Sequence, residues 1–514
     1  MENQTAFTEE IIKGYSSNGK SIVLGSGLLN GEIVKDARIQ IPLKTLNRHG
    51  LIAGATGTGK TVTLQVLAES MCAEGIPVLL MDVKGDLSGI ATAGTTNPKI
   101  EERHAAIGLP YAPTKTETEL MSLSKEPGLR LRATVTEFGP VLFSKILELN
   151  ETQSGVVAML FKYADDHELP LLDLKDFKQL LQFATGEGKS ILQKEYGNLS
   201  PASTSTILRK IIELETQGAD LFFGEKSFDV MDLLRTTADG KGMASIVRLS
   251  DIQDRPKLFS TFMLCLLAEI YATFPEAGDL DKPKLCLFID EAHLIFKESS
   301  KALLDQIESI IKLIRSKGVG VFFITQNPYD VPEGVLSQLG LKIQHALRAF
   351  TEKDRKAIRK TAENYPISSY YKTDEVLTSL GIGQALVSAL NEKGIPTPLA
   401  AVHLKAPASR IGILSADEIN ALVVNSKLAP AYNKVIDRES AYEILTRKLT
   451  REEERAPENE AETQKEKTEK SLLEKASENT MVRQVGRTVV RELTRGLLGV
   501  LGLNTGGKRK KGWF

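Results

Sequence analysis

Gly54-Ala55-Thr56-Gly57-Thr58-Gly59-Lys60-Thr61 sets three glycines, a lysine and a hydroxyl at the spacing of a phosphate-cradling loop. The glycines let backbone N–H groups turn inward around phosphate oxygens, the Lys60 ammonium can reach β- and γ-phosphates, and the Thr61 hydroxyl can ligate Mg²⁺. A second constellation, Asp290-Glu291, closes the apolar run Leu285 to Ile289. Beside such a loop, Asp290 can hold the water shell of Mg²⁺, and Glu291 can polarise a water for in-line attack on a γ-phosphate. Gln326 follows the run Val319 to Thr325, where an amide can orient the attacking water; Gln326-Asn327-Pro328 is equally ordinary turn chemistry. Asp82 and Lys84, at the end of Val78 to Asp82, either face the same site or form a loop salt bridge. Charge that builds on a transferring phosphoryl group can be met by a guanidinium. Arg48, just before the loop, and Arg315, after Asp290, are the leading candidates, with Arg348 and Arg355 weaker.

These residues need a scaffold, and the apolar pattern supplies one. Leu51-Ile52-Ala53 reads as a strand entering the loop, and Val62 to Ala73 as the helix whose positive dipole end points at the anion. Further strands are expected at Val78 to Asp82, Ala244 to Leu249, Leu285 to Asp290, Val319 to Thr325 and Leu341 to Leu347, with helical patterns between them. That alternation implies an α/β fold with a mainly parallel sheet covered on both faces. Gln384 to Leu390 and Thr397 to Leu404 flank a turn and read as a closing hairpin. The expected division is a short β-rich segment at 1–47, the nucleotide core at 48–114 and 241–410, a mainly helical insertion at 115–240, and a helical segment at 411–450. Within the insertion, Glu151 to Ala164, Leu174 to Ala184 and Thr204 to Gln217 carry helical spacing.

Beyond 450 the composition changes. Residues 451 to 475 hold nine Glu and six Lys or Arg with few large apolar groups, so 451–480 is expected to be a charged linker, either a solvated helix or disordered. In 481–514, Arg483, Arg487, Arg491 and Arg495 recur every four residues against Val482, Val485, Val489, Leu493 and Leu497. This basic amphipathic tail fits membrane lipid, nucleic acid, or docking on protein. The whole chain balances 65 basic against 66 acidic side chains, which argues for no particular partner. Cys72, Cys265 and Cys286 sit in apolar stretches without zinc spacing, and neither a signal peptide nor a spanning run is legible. A cytoplasmic protein is expected.

The loop at Gly54 to Thr61, Asp82-Val83-Lys84-Gly85-Asp86, Phe288-Ile289-Asp290-Glu291-Ala292-His293 and Val321-Phe322-Phe323-Ile324-Thr325-Gln326, in this order, resemble the HerA/FtsK group of P-loop ATPases. More narrowly the chain is similar to the bacterial HerA-like ATPases or helicases, over roughly residues 20 to 410. The resemblance implies a RecA-like core in a homo-hexameric ring, ATP and Mg²⁺ bound at subunit boundaries, and duplex DNA moved through a central channel. It also implies active-site arginines at Arg48 and Arg315. Only about fifty residues precede the loop, whereas HerA-type translocases carry a larger N-terminal barrel that docks a nuclease, which counts against a nuclease partner. No winged-helix module or membrane anchor of the FtsK kind is seen. The expected function is a Mg²⁺-dependent ATPase driving a DNA translocase or helicase-like motor. The alternative is an ATP-dependent assembly or scaffold factor whose tail contacts membrane lipid or protein.

Overall fold

The computed structural model describes residues 2–297, 301–448 and 450. They divide into two compact units, 1–131 with 229–433, and 132–228 with the described residues from 434 on. The sequence expectations for 451–480 and 481–514 lie outside the described residues.

The first unit is built on one twelve-stranded sheet. Its strands are β1 (Ser21–Leu29), β2 (Glu32–Pro42), β3 (Gly50–Ala53), β4 (Val78–Asp82), β5 (Thr118–Ser122), β6 (Leu129–Arg130), β7 (Ala244–Arg248), β8 (Leu285–Ile289), β9 (Val319–Thr325), β10 (Leu341–His345), β11 (Gln384–Ser388) and β12 (Ala400–Leu404). Their spatial order is β2-β1-β12-β11-β10-β3-β9-β8-β4-β7-β5-β6. From β10 to β6 every pairing is parallel, and from β2 to β10 every pairing is antiparallel. Strands β3, β4, β8 and β9 are buried at every residue, as parallel strands covered on both faces must be. Phe288 on β8 and Phe322 on β9 stack with centroids 4.8 Å apart, fixing the two central strands face to face. Gly50 opposite has no room for a side chain, since a Cβ there would lie 2.5 Å from the Phe322 ring.

The expected closing hairpin is present as β11 and β12, with Gln384 opposite His403. Two expectations need correction. The N-terminal segment is not solely β-rich: a helix, α1 (Glu2–Tyr15), precedes the strands and buries Phe7, Ile11 and Tyr15 at four-residue spacing. The Tyr15 hydroxyl donates to Val387 and Pro398 carbonyls at 3.0 and 2.8 Å. The sheet also reaches into the stretch read as helical insertion, because β5 pairs with β7 from Thr118 to Ser122.

The second unit is helical. Helices at Val135–Ile146, Glu151–Asp166, Leu174–Thr185, Lys189–Glu195 and Pro201–Thr216 surround an aromatic core of Phe138, Phe143, Phe161, Phe177, Phe222 and Phe223. Reciprocal capping boxes at Thr134, Asn150 and Asp173 start three of them. The segment read as 411–450 is shared between units: Ala416–Val424 lies in the first, and 441–448 belongs to the second, where the Tyr442 N–H donates to Asp176 Oδ1 at 2.8 Å.

Candidate nucleotide site

Parallel strands point their carboxyl ends one way, and that edge of the first unit gathers β3, β4, β8 and β9. The loop after β3 is anchored on both sides: Gly54 N–H donates to Thr325 O at 3.3 Å and Ala55 N–H to Ala346 O at 2.9 Å. Gly54 has φ of 152°, and a Cβ there would sit 2.5 Å from the His345 Cβ. Gly59, with φ of 107°, supplies the left-handed residue that turns the loop into helix α2 (Lys60–Ala73). No side chain caps that helix, so the amides of its first turn are available to an anion. Lys60 is 6% exposed, and its Nζ donates to Gly54 O at 2.7 Å and Ala55 O at 3.1 Å. Burial, then the nearby Lys84 ammonium, lowers its pKa, while Glu291 and Asp290 pull it back.

Asp290 and Glu291 follow β8, with β9 between β8 and the loop strand. Both are buried. Asp290 Oδ2 has no hydrogen-bond partner among the described residues, and burial pushes the carboxyl up to about 6, with Lys84 opposing. Glu291 has φ of 48°, a left-handed backbone that a β-carbon disfavours, and the turn is tied to β9 by Ala292 N–H on Ile324 O at 2.9 Å. One Glu291 oxygen, Oε1, is paired with Lys84 Nζ. The other lies 3.1 Å from His293 Nδ1 but off the hydrogen-bond direction, so it is close to the imidazole without being satisfied by it.

Asp82 closes β4 and works inward. Its Oδ1 accepts from Gly85 N–H (2.8 Å) and Asp86 N–H (3.1 Å), and its Oδ2 from Leu87 N–H (3.2 Å). Burial nevertheless raises its pKa to about 7. This collar fixes the loop that presents Lys84 and Asp86. The Asp86 carboxylate lies against the Thr61 hydroxyl, and its Oδ1 is another buried oxygen without a hydrogen-bond partner among the described residues.

The structure therefore brings Lys60, Thr61, Asp290 and Glu291 to one edge and adds Lys84, Asp86 and His293 to them. Of the two sequence readings for Lys84, pairing inside its own loop gives way to pairing across to Glu291. Gln326 follows the last residue of β9, whose Thr325 pairs with Ala53 immediately before the loop, and its side chain is exposed. Arg48 and Arg315 are not in the cluster. Arg48 precedes β3 and Arg315 precedes β9, so both lie at the amino ends of strands whose carboxyl ends hold the loop. Four residues of strand span roughly 13 Å. The two guanidiniums are near each other: burial first, and then the Arg48 charge, lowers the pKa of Arg315.

Two orphaned buried carboxylate oxygens, on Asp290 and Asp86, beside the Thr61 hydroxyl suit a hydrated Mg²⁺, which keeps most of its waters and takes few protein ligands. Among the described residues, no helix is long and apolar enough to cross a membrane.

The strand order, the glycine-rich loop at one carboxyl end and the acid pair two strands away define a P-loop NTPase with a RecA-like core. The family model described as Helicase HerA-like C-terminal matches residues 28–510, and the chain belongs to that family of P-loop ATPases. Proteins described as DNA double-strand break repair helicase HerA are similar to it. The one from Saccharolobus solfataricus is 24% identical over 387 residues, 74% of this chain and 68% of that protein. That from Sulfolobus acidocaldarius is 20% identical over 363 residues, 69% of this chain and 65% of that protein. The chain thus spans about two thirds of the length of these curated relatives. Among solved structures, the bacterial conjugative coupling protein TrwBdeltaN70 superposes with a TM-score of 0.51 at 14% identity, over 80% of this chain and 94% of that one, a likeness of fold.

Proposed function

We propose that this protein is a Mg²⁺-dependent ATPase that works as a ring-shaped motor on double-stranded DNA. The observation that carries the reading is the convergence of Lys60, Thr61, Asp290 and Glu291 at one sheet edge, with Asp290 and Glu291 each keeping a buried oxygen unsatisfied. Lys60 leaves the loop carbonyls to meet the β- and γ-phosphates, and the first-turn amides of α2 hold the remaining oxygens. Thr61 and, through water, Asp290 would hold Mg²⁺, which would supply charge neutralisation on the phosphates. Glu291 takes the proton of a water as its oxygen attacks the γ-phosphorus, the bond to the β–γ bridging oxygen breaks, and ADP and phosphate result. Gln326, which follows β9 beside the loop strand, orients that water. Arg48 and Arg315 lie too far along the strands to serve their own loop, which favours their service to a neighbouring subunit's site in a homo-hexamer. Duplex DNA as the load is supported by family membership and by relatives described as DNA helicases.

The test is phosphate release with and without double-stranded DNA, on a sample whose oligomeric state is fixed by light scattering. A hexamer with DNA-stimulated turnover is the expected result. A monomer, or turnover indifferent to DNA, overturns the motor while leaving the ATPase standing.

A further inference from the structure

Lys84 Nζ holds Glu291 Oε1, so the carboxylate is anchored to an ammonium group and is not free to turn toward a water, although its Oε2 has no hydrogen-bond partner among the described residues. Asp290 and Asp86 are also within electrostatic reach of Lys84, yet the close ion pair is the one it makes with Glu291, across from its own loop. The Asp82 collar holds the backbone of this loop, so the long Lys84 side chain can move without the loop moving. Its side chain is 37% exposed, against 8% for Glu291, so the mobile partner of the pair is the lysine. Lys84 is also close enough to Lys60 to perturb it, which sets a second cation beside the one that meets the terminal phosphates.

We propose that Lys84 is a γ-phosphate-sensing catalytic residue that exchanges Glu291 for the γ-phosphate, so that the general base is released only when a triphosphate is bound. This rests on the ATPase reading above. A diphosphate, lacking the γ-oxygens, offers Lys84 nothing better than Glu291, and the pair stays closed. The γ-phosphate brings more charge than one carboxylate and attracts the ammonium away from it. Binding energy at the γ-position is thereby coupled to activation of the attacking water.

The experiment is a binding cycle in the full chain with ADP and a non-hydrolysable ATP analogue, read by calorimetry for the parent, Lys84→Gln, Glu291→Gln and the double variant. Lys84→Gln is expected to weaken the analogue about tenfold or more, the worth of one charge-assisted contact, and to leave ADP within about twofold. Glu291→Gln, which frees Lys84, is expected to tighten the analogue several-fold, and to lose that gain when Lys84 is also Gln. Lys84→Arg is expected to recover part of the analogue affinity by restoring the charge. Retained ADP binding serves as the control for folding. If Lys84→Gln weakens both nucleotides equally or neither, or if the two substitutions add, the exchange is overturned while the ATPase stands. If the parent binds neither nucleotide, the ATPase reading itself falls, and the exchange with it.

Discussion

At the scale of single residues the site depends on groups that the fold withholds from ordinary partners. Asp290 and Glu291 each keep an oxygen unsatisfied, and a buried unpaired acceptor costs about 1–3 kcal/mol. Glu291 also holds a left-handed backbone. Such costs persist where surrounding structure over-determines them, here through the β9 bond to Ala292. Glu291→Gln keeps the shape and removes the base, so nucleotide should still bind while turnover falls by about two orders of magnitude or more, measured as single-turnover phosphate release. Unchanged turnover would remove Glu291 from the role. Gly54→Ala tests the cradle: its methyl meets the His345 Cβ at 2.5 Å on a backbone with φ of 152°, so loss of nucleotide binding is expected in a protein that melts several degrees lower. The loop and the acid pair were legible as residue patterns because their chemistry demands types and spacings. Asp86, His293 and the pairing of Lys84 with Glu291 were not, since they depend on which strand lies beside which.

At the scale of elements, burial and polar clasps set the strands that carry these residues. The imidazole of His49 sits at the start of β3 and joins three elements: Nε2 lies 3.0 Å from Ile311 O near the end of the helix Lys301–Ile314, and Nδ1 accepts the Val321 N–H of β9 at 3.0 Å. That arrangement requires the neutral ring with its proton on Nε2, and burial holds the pKa down to about 4. The unfolded chain protonates His49 near 6.5, so between pH 6.5 and 4 it binds more protons than the fold does. Stability is therefore complete above 6.5 and falls as the solution is acidified, by about 2 kcal/mol from this group at pH 5. The change in melting temperature from pH 7 to 5 should be less favourable in the parent than in His49→Gln, which should melt lower at pH 7; equal changes in the two would contradict this. The buried parallel strands could be read from continuous apolar runs. Helix α1 was missed although Phe7, Ile11 and Tyr15 form a stripe, because a single stripe in a polar segment has meaning only once β11 and the residues before β12 are there to cover. β5 escaped for a related reason, as Thr118–Ser122 becomes a strand through pairing with β7, more than a hundred residues further on.

At the scale of the whole molecule, the first unit presents its nucleotide loop at one edge of the sheet and its arginine pair at the other. The Arg48 charge acts against that of Arg315, with Asp279 partly offsetting it. Two adjacent cations at a sheet edge are what an arriving anion would stabilise, and in a closed heterologous ring the edge of one subunit meets the opposite face of the next. If the site is shared in that way, Lys60→Ala and Arg315→Ala disable different halves of each interface. Either variant alone should lose hydrolysis by about a hundredfold or more, with Arg315→Ala still binding nucleotide and Lys60→Ala not. Co-assembled, they should regain activity that neither has alone, because some interfaces join an intact loop from one subunit to an intact arginine from the other. Arg48→Ala in place of Arg315→Ala should behave the same way. The mixing is read as ATPase rate against the ratio of the two variants, after dissociation and reassembly, and should pass through a maximum near equal proportions. A rate that stays at the baseline across all ratios, with reassembled rings verified by light scattering, would place both arginines outside the chemistry and leave their edge of the sheet to another task.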